Sequence, residues 1–465
     1  MKSLMAAFVA AAVIAVFAAS ANADQSTREV RSAVDAYLAS AEGDASLVGG
    51  PGSAGYDGGF WIRGGSFLLK INLTIQARYE YWDWDDKAAE ADPGGDLSGF
   101  SVPRVTLRLS GDATCDVSYY ASLEFGHHGT GFDLNDPVGL MDYPDIAAFT
   151  GGQGAAGVDE QAFDGDPLRE AWIQYEVCPQ AAIRMGLVQT AATRQLMTPP
   201  EMQQFIDISM ASVYVGQLMP GYSDRNRDYG IMVHGKLGCD GEWSYMATVT
   251  NGDGAAHRNV LDGSTDDNLA YSARLNWDIM GHMGYEEGAL RQHECEWTAA
   301  LGAWIYVYND VRLDNVHTKY ADRTVWGVDG AVGYGGWSLT AAYNSVTYAE
   351  SDESPIDATG FSYLVQLGYL FPDTAWEIAA RYSAYNHEFD DSFIQNQVIV
   401  DTFGATEIGV AVNYYIDGHG DKLSADVALV TAEDDGNILS DVYAAYNTSG
   451  DSDAMLVRFQ WQLAL

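Results

Sequence analysis

Basic side chains recur at every second residue of short alternating segments, a spacing that places them on one face of a β-sheet. In Phe67–Tyr81 the odd positions are apolar, whereas Lys70, Arg78 and Glu80 stand at even positions. The set with this parity includes Lys70, Arg78, Arg104, Arg108, Arg184, Arg274, Arg381 and Arg458. Guanidinium groups attract anions and make bidentate contacts with oxyanions. The pattern predicts an ionic face that could guide anions, but arginine–glutamate pairs bracing that face would explain it equally well.

The alternating segments are themselves the predicted elements that carry these side chains. At ~3.3 Å per residue, Phe67–Tyr81 would span about 50 Å, enough to cross a bilayer at a tilt. Comparable segments continue to Met455–Leu465, separated by alternating short turns and long acidic loops. A soluble β-sandwich would bury the apolar face and would seldom start so many strands with Trp or Tyr. The sequence therefore predicts an all-β fold, a transmembrane antiparallel β-barrel of about 16 strands.

The N-terminus has the features of an export signal. Met1 and Lys2 precede the apolar run Leu4–Ala19, and Ala21-Asn22-Ala23 has the small-x-small form of a cleavage site. We therefore predict a signal peptide over residues 1–23. Residues 24–54 are predicted to form a short periplasmic helix and a Gly-rich tether, and residues 55–465 the barrel. Since no later run of apolar residues is long enough for a membrane-spanning helix, the predicted location is the outer membrane of a Gram-negative-type bacterium.

Composition narrows the function classes. The 28 tyrosines and 49 glycines suit strands, tight turns and interfacial girdles, and the net charge of −41 argues against a nucleic-acid partner. The sequence contains neither a Gly-x-Ser-x-Gly elbow nor a His-Glu-x-x-His motif. Gly/Asp-rich stretches such as residues 251–254 are usually loops rather than cation sites. We therefore expect no enzyme activity, no metal and no cofactor.

Four cysteines, Cys115, Cys178, Cys239 and Cys295, fall in or beside four consecutive predicted short turns. An exported chain meets an oxidising compartment, so disulfides are plausible. Proximity of neighbouring turns favours Cys115–Cys178 and Cys239–Cys295. The sequence leaves all three connectivities open, and four free thiols remain the alternative.

Several segments carry loose strand-and-turn motifs: Gly55–Arg63, Phe100–Leu107, Tyr119–Gly126, Leu168–Leu187, Thr198–Pro200 and Arg225–Gly230. In these the chain resembles the phosphate-selective porin O and P family. The resemblance implies a sixteen-stranded, usually trimeric porin whose third loop folds into the lumen. That loop would be Gln189–Asp224 here.

The predicted third loop departs from the family pattern. The family's phosphate selectivity is associated with rows of arginines and a cluster of lysines, whereas this loop offers Arg194 alone before Arg225, beside Glu201 and Asp207. Arg194 completes the predicted pore-lining set. The loop is otherwise apolar. We expect its apolar side chains to pack against the inner wall of the barrel rather than to form an apolar lining for organic solutes. These residues are Met197, Met202, Phe205, Ile206, Met210 and Met219.

These observations predict a water-filled channel for passive diffusion of small hydrophilic solutes, with a preference for anions such as phosphate or other oxyanions. The expected partners are outer-membrane lipid, lipopolysaccharide, small solutes or anions, and two further copies in a homotrimer. The alternative is a barrel enzyme or surface-binding barrel that uses the long acidic loops.

Overall fold

A computed structural model describes residues 52–84, 97–125, 168–219, 226–252, 269–290, 296–312, 320–350, 358–389, 402–434 and 452–465. Their strands are β1 Gly52–Tyr56, β2 Phe60–Gly64, β3 Phe67–Trp84, β4 Leu97–Asp112, β5 Val117–Glu124, β6 Leu168–Cys178, β7 Ala181–Gln189, β8 Arg227–Leu237, β9 Trp243–Thr250, β10 Ala270–Met280, β11 Thr298–Arg312, β12 Tyr320–Tyr334, β13 Trp337–Glu350, β14 Ala358–Leu370, β15 Trp376–Phe389, β16 Thr402–Asp417, β17 Asp421–Asp434 and β18 Ser452–Ala464. The described helices are α1 Arg194–Met197 and α2 Met210–Gln217, with a 3-10 turn at Pro200–Met202. None of them is long and apolar enough to cross a membrane.

Strands β3 to β18 form a closed antiparallel barrel. Each pairs with the next along the chain, and β18 returns to pair with β3, with Arg458 opposite Glu80 and Leu463 opposite Ile75. Closure leaves no edge of this sheet exposed to lipid. The predicted sixteen-strand barrel is thus confirmed.

A hairpin of β1 and β2 precedes the barrel and was not predicted. β2 pairs with the first residues of β3, with Gly64 opposite Phe67. It lies on the same edge of β3 as β18, which pairs with the later residues of that strand. The predicted boundary between tether and barrel, 54/55, therefore falls inside β1. The signal peptide and the predicted periplasmic helix lie outside the described residues.

The outer face of the barrel is apolar, as the odd positions of β3 predicted. Ile173, Met185 and Ile408 are more than half exposed there. At the short-turn end, aromatic pairs form a belt; the pairs are Trp243–Trp277, Trp297–Tyr334, Trp337–Tyr369 and Trp376–Tyr414. Such belts mark the membrane–water boundary of barrels.

The chain between β7 and β8 runs into the barrel interior. Gln204 bonds to Ser338 of β13 and Gln366 of β14, and the Ile206 amide donates to Asp426 of β17 at 3.1 Å. We call residues 190–219 the inner loop. Its position confirms that the third loop enters the lumen; residues 220–225 lie outside the described part.

Apolar side chains hold the second half of the inner loop. Met210, Val213 and Tyr214 of α2 pack on the inner faces of β11 to β16, against Tyr306, Val346, Tyr385 and their neighbours. The prediction that the loop's apolar residues pack on the wall is confirmed, since Phe205, Ile206 and Met219 are each 2% exposed.

The connection after β10 also turns inward, from the short-turn end. Glu287 accepts from Gln195, from the Gln204 amide and from Gln366, each at 2.9 Å, and its own amide donates to the Met202 carbonyl. Ala289 donates to Glu377 of β15. This segment, residues 281–290, therefore contacts the inner loop on the side that faces the short turns and helps to hold it in place.

The wall is uneven in height. β5 to β10 contain 8 to 11 residues each. β3, β4 and β11 to β18 contain 13 to 18. The contacts of the inner loop are concentrated on the taller wall.

Candidate pore

Asp207 of the inner loop is the meeting point of three inward arginines. Arg78 of β3 binds it through two nitrogens at 2.9 and 3.1 Å, Arg104 of β4 at 3.1 Å and Arg458 of β18 at 2.9 Å. Burial opposes ionisation, but the arginines outweigh it and hold the pKa of Asp207 well below its usual value. The cluster fixes the loop to both sides of the barrel closure.

Other inward arginines that the inner loop covers are also paired and buried. Arg274 makes a bidentate contact with Asp329, both bonds 2.7 Å, and Asp329 accepts the Arg194 amide at 2.9 Å. Arg381 pairs with Glu407 and donates to the Asp207 carbonyl. Arg458 also binds Asp426 at 2.7 Å. These groups bind protein, which leaves them little capacity to bind a passing solute.

The shorter wall keeps open space beside the inner loop. A cavity of about 360 Å³ lies between β4, β5, β6, β8 and the loop. Three arginine–carboxylate pairs border it: Arg108–Glu201, Arg169–Glu124 and Arg227–Glu170, at 2.9, 3.5 and 3.0 Å. The three arginine side chains are 18 to 20% exposed. This face therefore presents charge to solvent, but in neutralised pairs.

A β-bulge delivers one of these arginines. Ser122 pairs with Glu170 and Leu123 with Leu168, so Arg169 has no opposite residue on β5. A bulge re-aims a side chain, and Arg169, which has outward parity by simple alternation, borders the inner cavity. Counting parity from the sequence missed it for this reason.

A second cavity, of about 420 Å³, lies towards the short-turn end, and Gln189 borders both. Arg184 of β7 lies at this cavity, with its guanidinium carbon 3.7 Å from the centre of the Trp172 ring. Trp172 in turn stacks on Tyr120, with ring centres 5.4 Å apart. The row Tyr120–Trp172–Arg184 runs across β5, β6 and β7, from the first cavity to the second.

The predicted pore-lining residues thus divide into two groups. Arg108 and Arg184 border the cavities, and Lys70 is exposed near the short-turn end of β3. The buried group does not line open space and is corrected to a structural role, because the inner loop covers it; its members are Arg78, Arg104, Arg194, Arg274, Arg381 and Arg458. Ion pairing, the alternative that the sequence left open, accounts for most of this group.

The predicted disulfides are not formed. Cys115, Cys178 and Cys239 are exposed free thiols, and Cys295 lies outside the described residues. For the first pair the strand register supplies a reason, since Val117 is opposite Tyr175. Cys115 lies two residues from Val117 and Cys178 three residues from Tyr175, so the two cysteines are not opposite each other. Among the described residues, no group of three or more His, Cys, Asp or Glu side chains could hold a metal ion.

Sequence reasoning missed Asp207 as an anchor, Glu287 as a support, and Trp172 with Tyr120 as an inner-wall row. One signal was available: β11 carries apolar residues at both parities, because Trp304 and Tyr306 alternate with outward Ile305 and Val307. A strand with two apolar faces must cover its inner face with protein, which marks the wall that α2 packs on.

A closed sixteen-strand barrel with an apolar outer face, an ionic inner face and an inserted loop defines an outer-membrane channel. The family profile of the phosphate-selective porin O and P family matches residues 71–463. The chain belongs to this family, and it is a porin of the outer membrane of Gram-negative bacteria.

Two solved structures illustrate the likeness in fold. OprB of Pseudomonas putida, in its high-pH structure, is 9% identical over 85% of this chain and 94% of that chain, with a TM-score of 0.52. An anion-selective porin from Comamonas acidovorans is 11% identical over 85% of this chain and 100% of that chain, with a TM-score of 0.50. A search of curated proteins finds no match.

Proposed function

We propose that solutes cross this porin by passive diffusion along the shorter wall, past the two cavities, with a modest preference for small anions and without a chemical step. The observation that carries the proposal is Arg184. Its guanidinium donates to the Gln174 side chain at 2.9 and 3.2 Å, and no carboxylate in the described part of the chain lies within ion-pair distance of it. An uncompensated guanidinium in a narrow passage attracts anions.

The modest size of the preference follows from the neighbouring charges. Arg108, Arg169 and Arg227 are each paired with a glutamate, and at the second cavity Lys236 is offset by Glu176. A dedicated phosphate site would need several basic side chains without carboxylate partners, all directed at the same point. We therefore propose a general anion preference rather than a dedicated phosphate site.

Reversal potentials in planar bilayers test this proposal. In a salt gradient the purified protein should favour anions, and Arg184→Gln should shift the reversal potential towards cations. Lys70→Gln, which removes an exposed charge near the end of β3, is the control and should shift it less. Cation preference in the wild type would refute the selectivity, and absence of conductance would refute the channel and favour an enzyme or surface-binding barrel.

We also propose a homotrimer in contact with lipopolysaccharide and lipid, with the shorter wall at the subunit interface. Eight-residue strands such as β5 and β9 rise only about 20 Å when tilted, less than the roughly 25 Å apolar band of such barrels. Their wall nevertheless exposes Ile173 and Met185 outward. Light scattering in detergent should give a trimer that Ile173→Asp dissociates, whereas Ile408→Asp on the taller wall should not; a monomeric wild type would refute this assembly.

A further inference from the structure

The second cavity combines a net charge of one positive unit, from Arg184, Lys236 and Glu176, with a largely apolar lining. Pro179, Ala182, Met232 and Met246 border it, together with Arg184. Its volume of about 420 Å³ lies within the roughly 300–1,000 Å³ typical of small-molecule sites. A cavity that serves only hydrated ions has no need of an apolar lining, so these neighbours suggest a solute with an apolar body.

Two side chains of the closely packed neighbouring strand β6 hold the Arg184 guanidinium in place. Gly186 stands directly opposite Trp172 on the neighbouring strand. It has a φ of +138°, and a Cβ there would meet the Ala171 carbonyl oxygen at 2.2 Å, so a side chain at this position is disfavoured. Glycine therefore lets the backbones of β6 and β7 approach closely here. The guanidinium itself is held by the Trp172 ring and the Gln174 side chain.

The charge count at this cavity favours a single negative charge on the ligand. Among the described residues Arg184 forms no ion pair, since Glu170, the carboxylate that acts on it electrostatically, is paired with Arg227. Lys236 and Glu176 add one cation and one anion. Polar groups that can bond a substituent are also present: His234 shares the Gln174 oxygen with Arg184, and Asn276 donates to the Tyr285 hydroxyl at 2.8 Å. A divalent inorganic oxyanion would find one free guanidinium and several apolar neighbours.

We propose that this cavity is a binding site for aromatic monocarboxylates, with the carboxylate on Arg184 and the ring among Tyr285, Met232 and Met246. This inference rests on the proposed function in one respect, that solutes reach the cavity through the lumen. It names a substrate class for that pathway. The row of Trp172 and Tyr120 leads from the first cavity towards this site and gives a flat ring further stacking partners.

Calorimetric titration of the purified, detergent-solubilised protein tests the site separately from conductance. Benzoate should bind, and cyclohexanecarboxylate and inorganic phosphate should bind more weakly. Arg184→Gln should weaken benzoate binding by about tenfold or more, since it removes a charge-assisted contact. Arg63→Gln, which removes an exposed arginine of β2, should leave it unchanged. Arg184→Lys keeps the charge but loses the planar stack and should give an intermediate affinity.

Each outcome decides one claim. Equal binding of benzoate and phosphate, or unchanged benzoate affinity in a folded Arg184→Gln, refutes the site. If Arg184→Gln does not fold, Arg184→Lys serves instead, and an affinity equal to the wild type refutes the site. A protein that conducts salt but does not bind benzoate keeps the proposed function and loses the site, whereas one that binds benzoate without conducting keeps the site and loses the channel.

Discussion

Arg104 and Arg108 lie four residues apart on β4 and face the same side of the sheet, yet their surroundings differ. The Arg104 side chain is 4% exposed and binds Asp207 of the inner loop. That of Arg108 is 20% exposed, pairs with Glu201 and borders the first cavity. The two arginines mark the boundary between the loop-filled taller wall and the open shorter wall. The contrast teaches that parity assigns a side chain to the lumen, whereas the inserted loop decides whether it meets water.

Replacing the shared anchor should give the largest effect. Asp207→Ala leaves Arg78, Arg104 and Arg458 buried without their common partner, and breaking a buried ion pair costs about 3–5 kcal/mol. We expect lower resistance to guanidinium unfolding and a several-fold rise in single-channel conductance as the loop leaves the wall. Asp207→Glu keeps the charge and serves as the control. Unchanged conductance in Asp207→Ala would show that the loop is held without this cluster.

Acid should release the same anchor. The folded-state pKa of Asp207 lies below its unfolded value of about 3.9, because the three arginines outweigh the effect of burial. Its contribution to stability is therefore present above that unfolded value and is lost as the pH falls through the folded-state pKa. Conductance should stay constant from neutral pH to about pH 4 and change only below it. A change centred between about pH 5 and 6 would assign loop release to another group.

The matched pair on β4 should separate stability from conduction. Arg104→Gln should lower the free energy of unfolding by about 3 kcal/mol, because it breaks a buried contact. Arg108→Gln should lower it by less than about 1 kcal/mol, because that pair is partly solvated. It should change conductance or selectivity instead. Equal losses of stability, measured by guanidinium unfolding, would remove the distinction between the two walls.

Thiol chemistry should have the smallest effect. Cys115, Cys178 and Cys239 are exposed and free, so each should react with maleimide in the folded, unreduced protein. Mass spectrometry counts the labels. Replacing all three by serine should leave conductance unchanged. Failure to label Cys115 and Cys178 would restore the predicted disulfide.

Much of the fold was accessible from the sequence because alternation is a local property. Arg78 and Glu80 could be assigned to the inner face, and Tyr79 and Tyr81 to the outer face, from residue parity alone. The β1–β2 hairpin escaped detection because Gly58 and Gly59 interrupt two five-residue strands that are too short to show a period. Arg169 escaped because a bulge breaks the parity rule.

By itself, the sequence determined a two-faced β-sheet long enough to cross a membrane, its strand number, and an apolar third loop rich in Met. Which inward arginine is structural was decided by tertiary structure. Arg458 meets Asp207 251 positions away along the chain, and that contact exists only after the barrel closes and the loop enters it. Burial and pairing depend on groups distant in sequence, so a local pattern can assign the face of a side chain but not its partner.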